Sequence, residues 1–331
     1  MPFEITIPAR QTFQMDSFQE EPLRAGEIRG RTEYTLISQG TELGWANGDA
    51  FPIRPGYAAV FTVDEVGEGV SGVRVGERRF AMGPHRSSQT HPAGFTLAVP
   101  AGLPSDIAVI ARLMGVSMTT LMTTKARAGD AVIVSGAGPV GFLAAHQFRL
   151  AGYRVTVVDP DAVRRRQVMG SGIADCRAEM PVTDAALLGK VALVVDCSGH
   201  EGAVLAGCGM VRRGGEVVLV GVPWRKLTDH SAHDVMRAVF FNLITLRSGW
   251  EWELPITGRG FVWEEVLGGY NNAPHSIFGG FAKALAWLAE GRIPLEGLVH
   301  HASPADPAKL YADIAGRTIA EPFIVLDWAK V

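Results

Sequence analysis

Residues 131–141 read AVIVSGAGPVG. A continuous apolar run is what a parallel strand covered on both faces requires. It stops at Gly136-x-Gly138-x-x-Gly141 and passes into PVGFLAAHQFRLAG, a helical stretch that Gly152 closes. In such a turn the first glycine permits the sharp bend. The second lets a pyrophosphate approach the backbone, and the third lets helix and strand pack closely. Free N–H groups at the helix start, near Pro139 and Val140, would face the anion, and proline suits that first turn because its missing donor is not needed there. The next strand, RVTVVD, ends in Asp159, 21 positions after Gly138. A carboxylate there bonds the adenine ribose hydroxyls and repels a 2′-phosphate, which predicts NAD in preference to NADP. The arginine run Arg164–Arg166 competes with that reading, because a flexible arginine can reach a phosphate.

Downstream of this turn, strands and helices continue to alternate through VALVVDCSG, GGEVVLVGVP and LITLRSG, predicting a doubly wound parallel sheet. Upstream, GEIRGRTEYTLIS, YAAVFTVDEVG, RRFAM and GFTLAVP are short strand candidates separated by Gly and Pro, which predicts a compact β domain. A helical texture begins around Leu103, with Ser105 as its expected N-cap. After Trp252 the alternation stops. Phe281, Ala284, Leu285 and Leu288 then mark one helix that Gly291 would end, a short helix follows Ser303, and PFIVLDW is a late strand. The expected arrangement is a nucleotide-binding domain, residues 118–251, inserted into a split β-rich domain of residues 1–117 and 252–331.

The 331 residues are 47% hydrophobic and 20% charged, with a formal net charge of -3, the balance of an ordinary globular protein. Without basic blocks there is no electrostatic footprint for nucleic acid. No apolar stretch is expected to span a bilayer, and the opening MPFEITIPARQTF lacks the pattern of a secretory signal, so a cytoplasmic location with no membrane partner is expected. Cys176, Cys197 and Cys208 form neither a C-x-x-C pair nor a disulfide framework, which excludes a four-cysteine zinc lobe.

Taken in order and spacing, GTE at Gly40–Glu42, PGYAAVFTVDEVGEGVSGVRVGERRF, SGAGPVG with Asp159, VVDCSG, GGEVVLVGVP and LAEGRIPLEGLVHH resemble the medium-chain dehydrogenase/reductase superfamily. The resemblance implies a GroES-like domain split around a Rossmann domain, with the active site in the cleft between them. It implies that Arg164 touches the adenine ribose, while Gly199, Gly221 and Val222 line the ribose and nicotinamide side. It also implies a homodimer, in which LITLRSG pairs with its twin across a two-fold axis.

Zinc-dependent members read C-G-T-D and P-G-H-E where this chain has QGTE and PGYA. With a third position near Val116, the trio Gln39, Tyr57 and Val116 does not supply the lone pairs zinc needs, so no metal is expected. Glu42 keeps the carboxylate that orients the ligand histidine in those relatives, but meets Tyr57 in place of an imidazole. Tyr57 is thus either a positioned phenol that handles the substrate proton or an aromatic plug. Thr41 stands where relatives bond the substrate oxygen. His85 and His91, in GPHRSSQTHPAGF, are candidates for proton work because histidine titrates near neutral pH. Trp45 and Trp250 are candidates for lining the substrate site.

The expected activity is a zinc-independent, NAD-dependent interconversion of a secondary alcohol and its ketone. ISQGTEL and PGY are similar to the branch containing bacteriochlorophyllide dehydrogenases, which would imply a hydroxyethyl group on a large ring; a sugar or polyol hydroxyl stacked on tryptophan is the other substrate reading. A quinone or enone reductase is a second possibility that Asp159 opposes, and a nucleotide-binding protein without catalysis is a third.

Overall fold

A computed structural model describes residues 1–254 and 275–331. Packing divides the chain into two units, Met1–Arg112 with Phe281–Val331, and Leu113–Gly280. The joints lie at 112/113 and 280/281, whereas composition had suggested 117/118 and 251/252. The helices Ala111–Thr123 and Ile277–Ala289 run through the two joints, so neither joint is marked by a loop.

In the first unit, β1 (Phe3–Ala9) and β2 (Thr12–Ser17) form a small antiparallel sheet. β3 (Glu27–Leu36) is the spine of a larger one and is followed by α1 (Gln39–Ala46). β4 (Ala59–Val66), β5 (Arg78–Ala81), β6 (Ser88–Pro92) and β7 (Thr96–Ala98) complete its N-terminal part. β4 and β6 both pair with β3, so alternate residues of each strand face a core of Ile28, Phe61, Val63 and Ala81. The late strand Phe323–Asp327 adds antiparallel to β3, matching Val325 to Leu36 and Leu326 to Thr35. The tail therefore belongs to this unit. Its helix Pro307–Ala315 buries Leu310, Tyr311 and Ile314 against Ile5, Ile37 and Trp328.

Ser105 is the first residue of α2 (Ser105–Ala108) and not its cap; its hydroxyl accepts from Arg78 at 2.9 Å. The helical texture is also broken into α2 and α3 (Ala111–Thr123). Against expectation, Ser105–Thr123 is long and apolar enough to cross a membrane by length and composition, but 67% of that window is buried inside the protein. The helix is apolar because it is a core element.

Among the described residues, the second unit is built on a six-stranded parallel sheet. It contains β8 (Ala131–Ser135), α4 (Pro139–Leu150), β9 (Arg154–Val158), α5 (Ala162–Gly170), β10 (Cys176–Arg177), β11 (Val191–Asp196), α6 (Glu201–Met210), β12 (Val211–Leu219), α7 (Ala232–Asn242) and β13 (Thr245–Ser248). The strand order is β10-β9-β8-β11-β12-β13. β8 and β11 are buried along their whole length, as their uninterrupted apolar sequences require. The chain winds outward from β8 in one direction and then from β11 in the other. The glycine turn after β8 thus sits at the topological switch point, where open α/β sheets bind ligands.

Candidate cofactor and proton-transfer site

The turn after β8 is built as its glycines demand. Gly136 has φ +90°, and a Cβ on Gly141 would stand 1.7 Å from the Gly136 carbonyl oxygen. Only glycine lets α4 start this close to the strand. A Cβ on Gly138, by contrast, would meet nothing nearer than the Arg164 guanidinium at 3.9 Å. No side chain caps α4 and Pro139 opens it, so its first-turn N–H groups are left for an anion. A dinucleotide pyrophosphate fits this open side of Gly138.

Asp159 follows β9 and is 3% exposed. Its carboxylate accepts from the backbone N–H of Ala137 at 2.7 Å and of Asp161 at 2.8 Å, with an Arg164 guanidinium nitrogen 3.7 Å away. Asp159 therefore clamps the glycine turn as well as standing where a ribose would bind. Two lone-pair directions remain for ribose hydroxyls. At the ends of β11 and β12, Gly199 (φ +64°) and Gly221 approach so closely that a Cβ on Gly221 would lie 2.4 Å from the Gly199 nitrogen. Val222 follows in an exposed position. Asp196, which sequence reasoning passed over, fixes this loop: its carboxylate accepts from the Ser198 hydroxyl at 2.5 Å and the Gly199 N–H at 3.0 Å. Burial holds the Asp196 carboxyl above the ordinary range, against the hydrogen bonds from Ser198 and Gly199.

The first unit holds a buried polar network. One Glu42 oxygen accepts from the Ser38 backbone N–H at 2.7 Å; the other takes the Tyr311 hydroxyl and lies 3.1 Å from His85 Nε2. His85 Nδ1 is 2.8 Å from the Thr35 hydroxyl, which also accepts from the Trp328 indole at 3.0 Å. Thr35, Glu42, His85 and Tyr311 are each fully buried. Every polar atom of the network has a partner, which is the condition for burying it. Together these bonds lock the first turn of α1.

Tyr57 stands beside that turn. The Ser38 and Thr41 side chains are polar neighbours that act on its phenol. Glu42 is already committed to His85 and Tyr311. Trp45 meets the Tyr57 ring edge-on at 6.0 Å between centroids, and the Arg112 guanidinium lies over its face at 4.5 Å. Burial raises the phenol's pKa above 10, while Arg112, Ser38 and Thr41 pull it back.

A family described as zinc-binding dehydrogenase matches residues 139–250. L-threonine 3-dehydrogenase of Bacillus licheniformis is 28% identical over 186 residues, 54% of this chain and 50% of its own. Sorbitol dehydrogenase of Halalkalibacterium halodurans is 24% identical over 238 residues, 59% of this chain and 69% of its own. The structure of acetophenone reductase from Geotrichum candidum in complex with NAD matches with a TM-score of 0.80, covering 100% of this chain and 98% of that one at 13% identity. Residues 139–250 thus resemble the zinc-binding dehydrogenase family, and the whole chain has the fold of the medium-chain dehydrogenase/reductase enzymes. Its two units are the GroES-like and Rossmann parts of that fold. The chain spans about half the length of the curated relatives it matches.

The match to the zinc-named family covers the nucleotide-binding region and none of the positions where superfamily members hold a catalytic metal. At those positions the Gln39 amide donates to the Pro322 carbonyl at 3.0 Å, burial favours the protonated phenol of Tyr57, and Val116 has no lone pair. Among the described residues no three His, Cys, Asp or Glu side chains converge as ligands. This donor set does not fit zinc.

Of the remaining candidates, Thr41 and Trp45 join Tyr57, and Trp250 is an exposed residue of the second unit. The two histidines are placed differently from expectation. His85 is wholly interior, so it acts on α1 and not on a substrate. His91 lies on β6, tilted against Phe61 and 3.1 Å from the Gln89 amide oxygen. Burial lowers its pKa to about 4, which keeps the ring neutral at physiological pH. Ser38 and Arg112 were missed. Arg112 did leave a signal: it is the sole charge between Asp106 and Lys125.

Proposed function

We propose that this chain is a zinc-independent, NAD-dependent oxidoreductase interconverting a secondary alcohol and its ketone. The observation that carries the reading is Asp159, held by Ala137 against an open glycine turn. Its charge favours ribose hydroxyls over a 2′-phosphate. A bound nicotinamide supplies the hydride donor or acceptor. The protein's share is the proton, a role we assign to the Tyr57 phenol, which has Ser38 and Thr41 as polar neighbours. A hydroxyl aimed at the substrate oxygen can do the charge-stabilising work that zinc does elsewhere in the superfamily. The polyol and amino-alcohol relatives support an alcohol substrate.

NAD is expected to bind at least about tenfold more tightly than NADP, a difference of ~1.4 kcal/mol. Fluorescence titration of both cofactors measures it. Asp159→Ser should narrow the gap, and should weaken both ligands because the clamp on Ala137 is lost. Turnover of a panel of secondary alcohols, followed as NADH absorbance, should survive a chelator. Preference for NADP, or activity abolished by the chelator and restored by zinc, would overturn the reading.

A further inference from the structure

We infer that Arg112 is a positioning residue for proton transfer by Tyr57, its cation fixed on the ring face to stabilise the phenolate. The inference rests on the function proposed above and adds a residue to it. Arg112 is 3% exposed. Its Nε donates to the Tyr57 carbonyl oxygen at 3.2 Å, and its guanidinium carbon stands 4.5 Å from the Tyr57 centroid and 5.4 Å from that of Phe281. The head group is thus held between two aromatic rings and tied to the backbone of the residue it covers. A guanidinium keeps its charge when buried, and a cation held over a ring face is attracted to the ring's electrons, more strongly once the ring becomes a phenolate.

The charge matters because of what surrounds the phenol. When a ketone is reduced, the O–H bond of Tyr57 breaks and its proton goes to the substrate oxygen, while the hydride comes from the reduced nicotinamide. Tyr57 is left as a phenolate; oxidation of the alcohol runs the same transfer backwards. Burial opposes that anion, and so does the Glu42 carboxylate on α1. His85, the other titratable group at this place, packs on Gly56 and is engaged with Glu42. Ser38 and Thr41 are neutral neighbours, which leaves Arg112 as the cation acting on the ring. An apolar residue of the same length would pack as well but would leave the phenolate unsupported.

The test uses protein labelled at the tyrosine Cζ with ¹³C and titrated by NMR without cofactor, Tyr57 being assigned by its loss in Tyr57→Phe. Arg112→Met should raise the Tyr57 midpoint by at least one pH unit, or beyond the range in which the protein stays folded. Arg112→Lys should recover most of that shift. If Arg112→Met does not fold, Arg112→Gln, which keeps a donor for the Tyr57 carbonyl, carries the same expectation. In turnover, the limb along which oxidation rises with pH, and the limb along which reduction falls, should both move with the NMR midpoint. A Tyr57 midpoint unchanged in Arg112→Met, or moved as far by Arg112→Lys, would refute the role. A shifted midpoint in a protein that oxidises no alcohol would instead refute the proposed activity and leave the Arg112–Tyr57 coupling standing.

Discussion

Tyr57 concentrates the chemical question in one hydroxyl. Its ring packs against Trp45 and under Arg112, so it fills space whether or not its oxygen acts. Tyr57→Phe separates the two roles, because it keeps the ring and removes only the hydroxyl. Turnover is expected to fall roughly a hundredfold, the scale of losing one donor to a developing oxyanion. NAD affinity and melting temperature should hardly change. If Tyr57→Phe keeps full turnover while Tyr57→Ala is unstable, the residue is a plug. The position was legible from PGY alone, since it replaces an imidazole in a recognisable turn. Its partners were not. The closeness of Ser38 and Thr41 depends on how α1 is held, and that depends on Tyr311, 269 positions after Glu42. A local pattern carries no trace of such a contact.

At the scale of elements, legibility followed burial and turn chemistry. The fully buried parallel strands could be read from their apolar runs. β1 and β2 were not recognised, because their connection carries no Gly or Asn: Gln11 takes the positive φ, +54°. α1 was not recognised as a helix. It is eight residues long and contains Gly40 and Gly44, poor helix formers, and the Glu42 carboxylate that satisfies Ser38 N–H offsets this. The glycine turn allows a sharp test within one element. Gly141→Ala puts a methyl 1.7 Å from a backbone oxygen that cannot move aside without shifting α4. It should cost about 2–3 kcal/mol or more in thermal unfolding and abolish NAD binding. Gly138→Ala meets only the flexible end of Arg164, so it should stay folded and lose NAD affinity alone, at least about tenfold. Equal effects of the two substitutions would show that the three glycines do not divide the work as the structure indicates.

For the whole molecule, the split of the first unit was legible because the β-α alternation runs out after Trp252 with too little chain left for a third domain. The strand that completes it, Phe323–Asp327, pairs with β3 almost three hundred residues earlier, and nothing local to either strand names the other. One question concerns surface instead of core. β13 ends the strand order of the parallel sheet, with β12 as its neighbour among the described residues. On the helix before it, Phe240 is 72% and Phe241 66% exposed, Met236 is 68% exposed, and Leu243, just past its end, is 58% exposed. An open strand edge beside an apolar surface is a liability in water, and pairing two copies across a two-fold axis would cover both. The protein is therefore expected to be a homodimer, and light scattering at micromolar concentration should give about twice the chain mass. Replacing Phe240 and Phe241 together by Ser leaves β13 intact and removes two aromatic anchors. It should weaken the dimer by roughly thirtyfold or more, equivalent to ~2 kcal/mol. A single-chain mass for the native protein under the same conditions would mean that the aromatic face serves something other than a second copy.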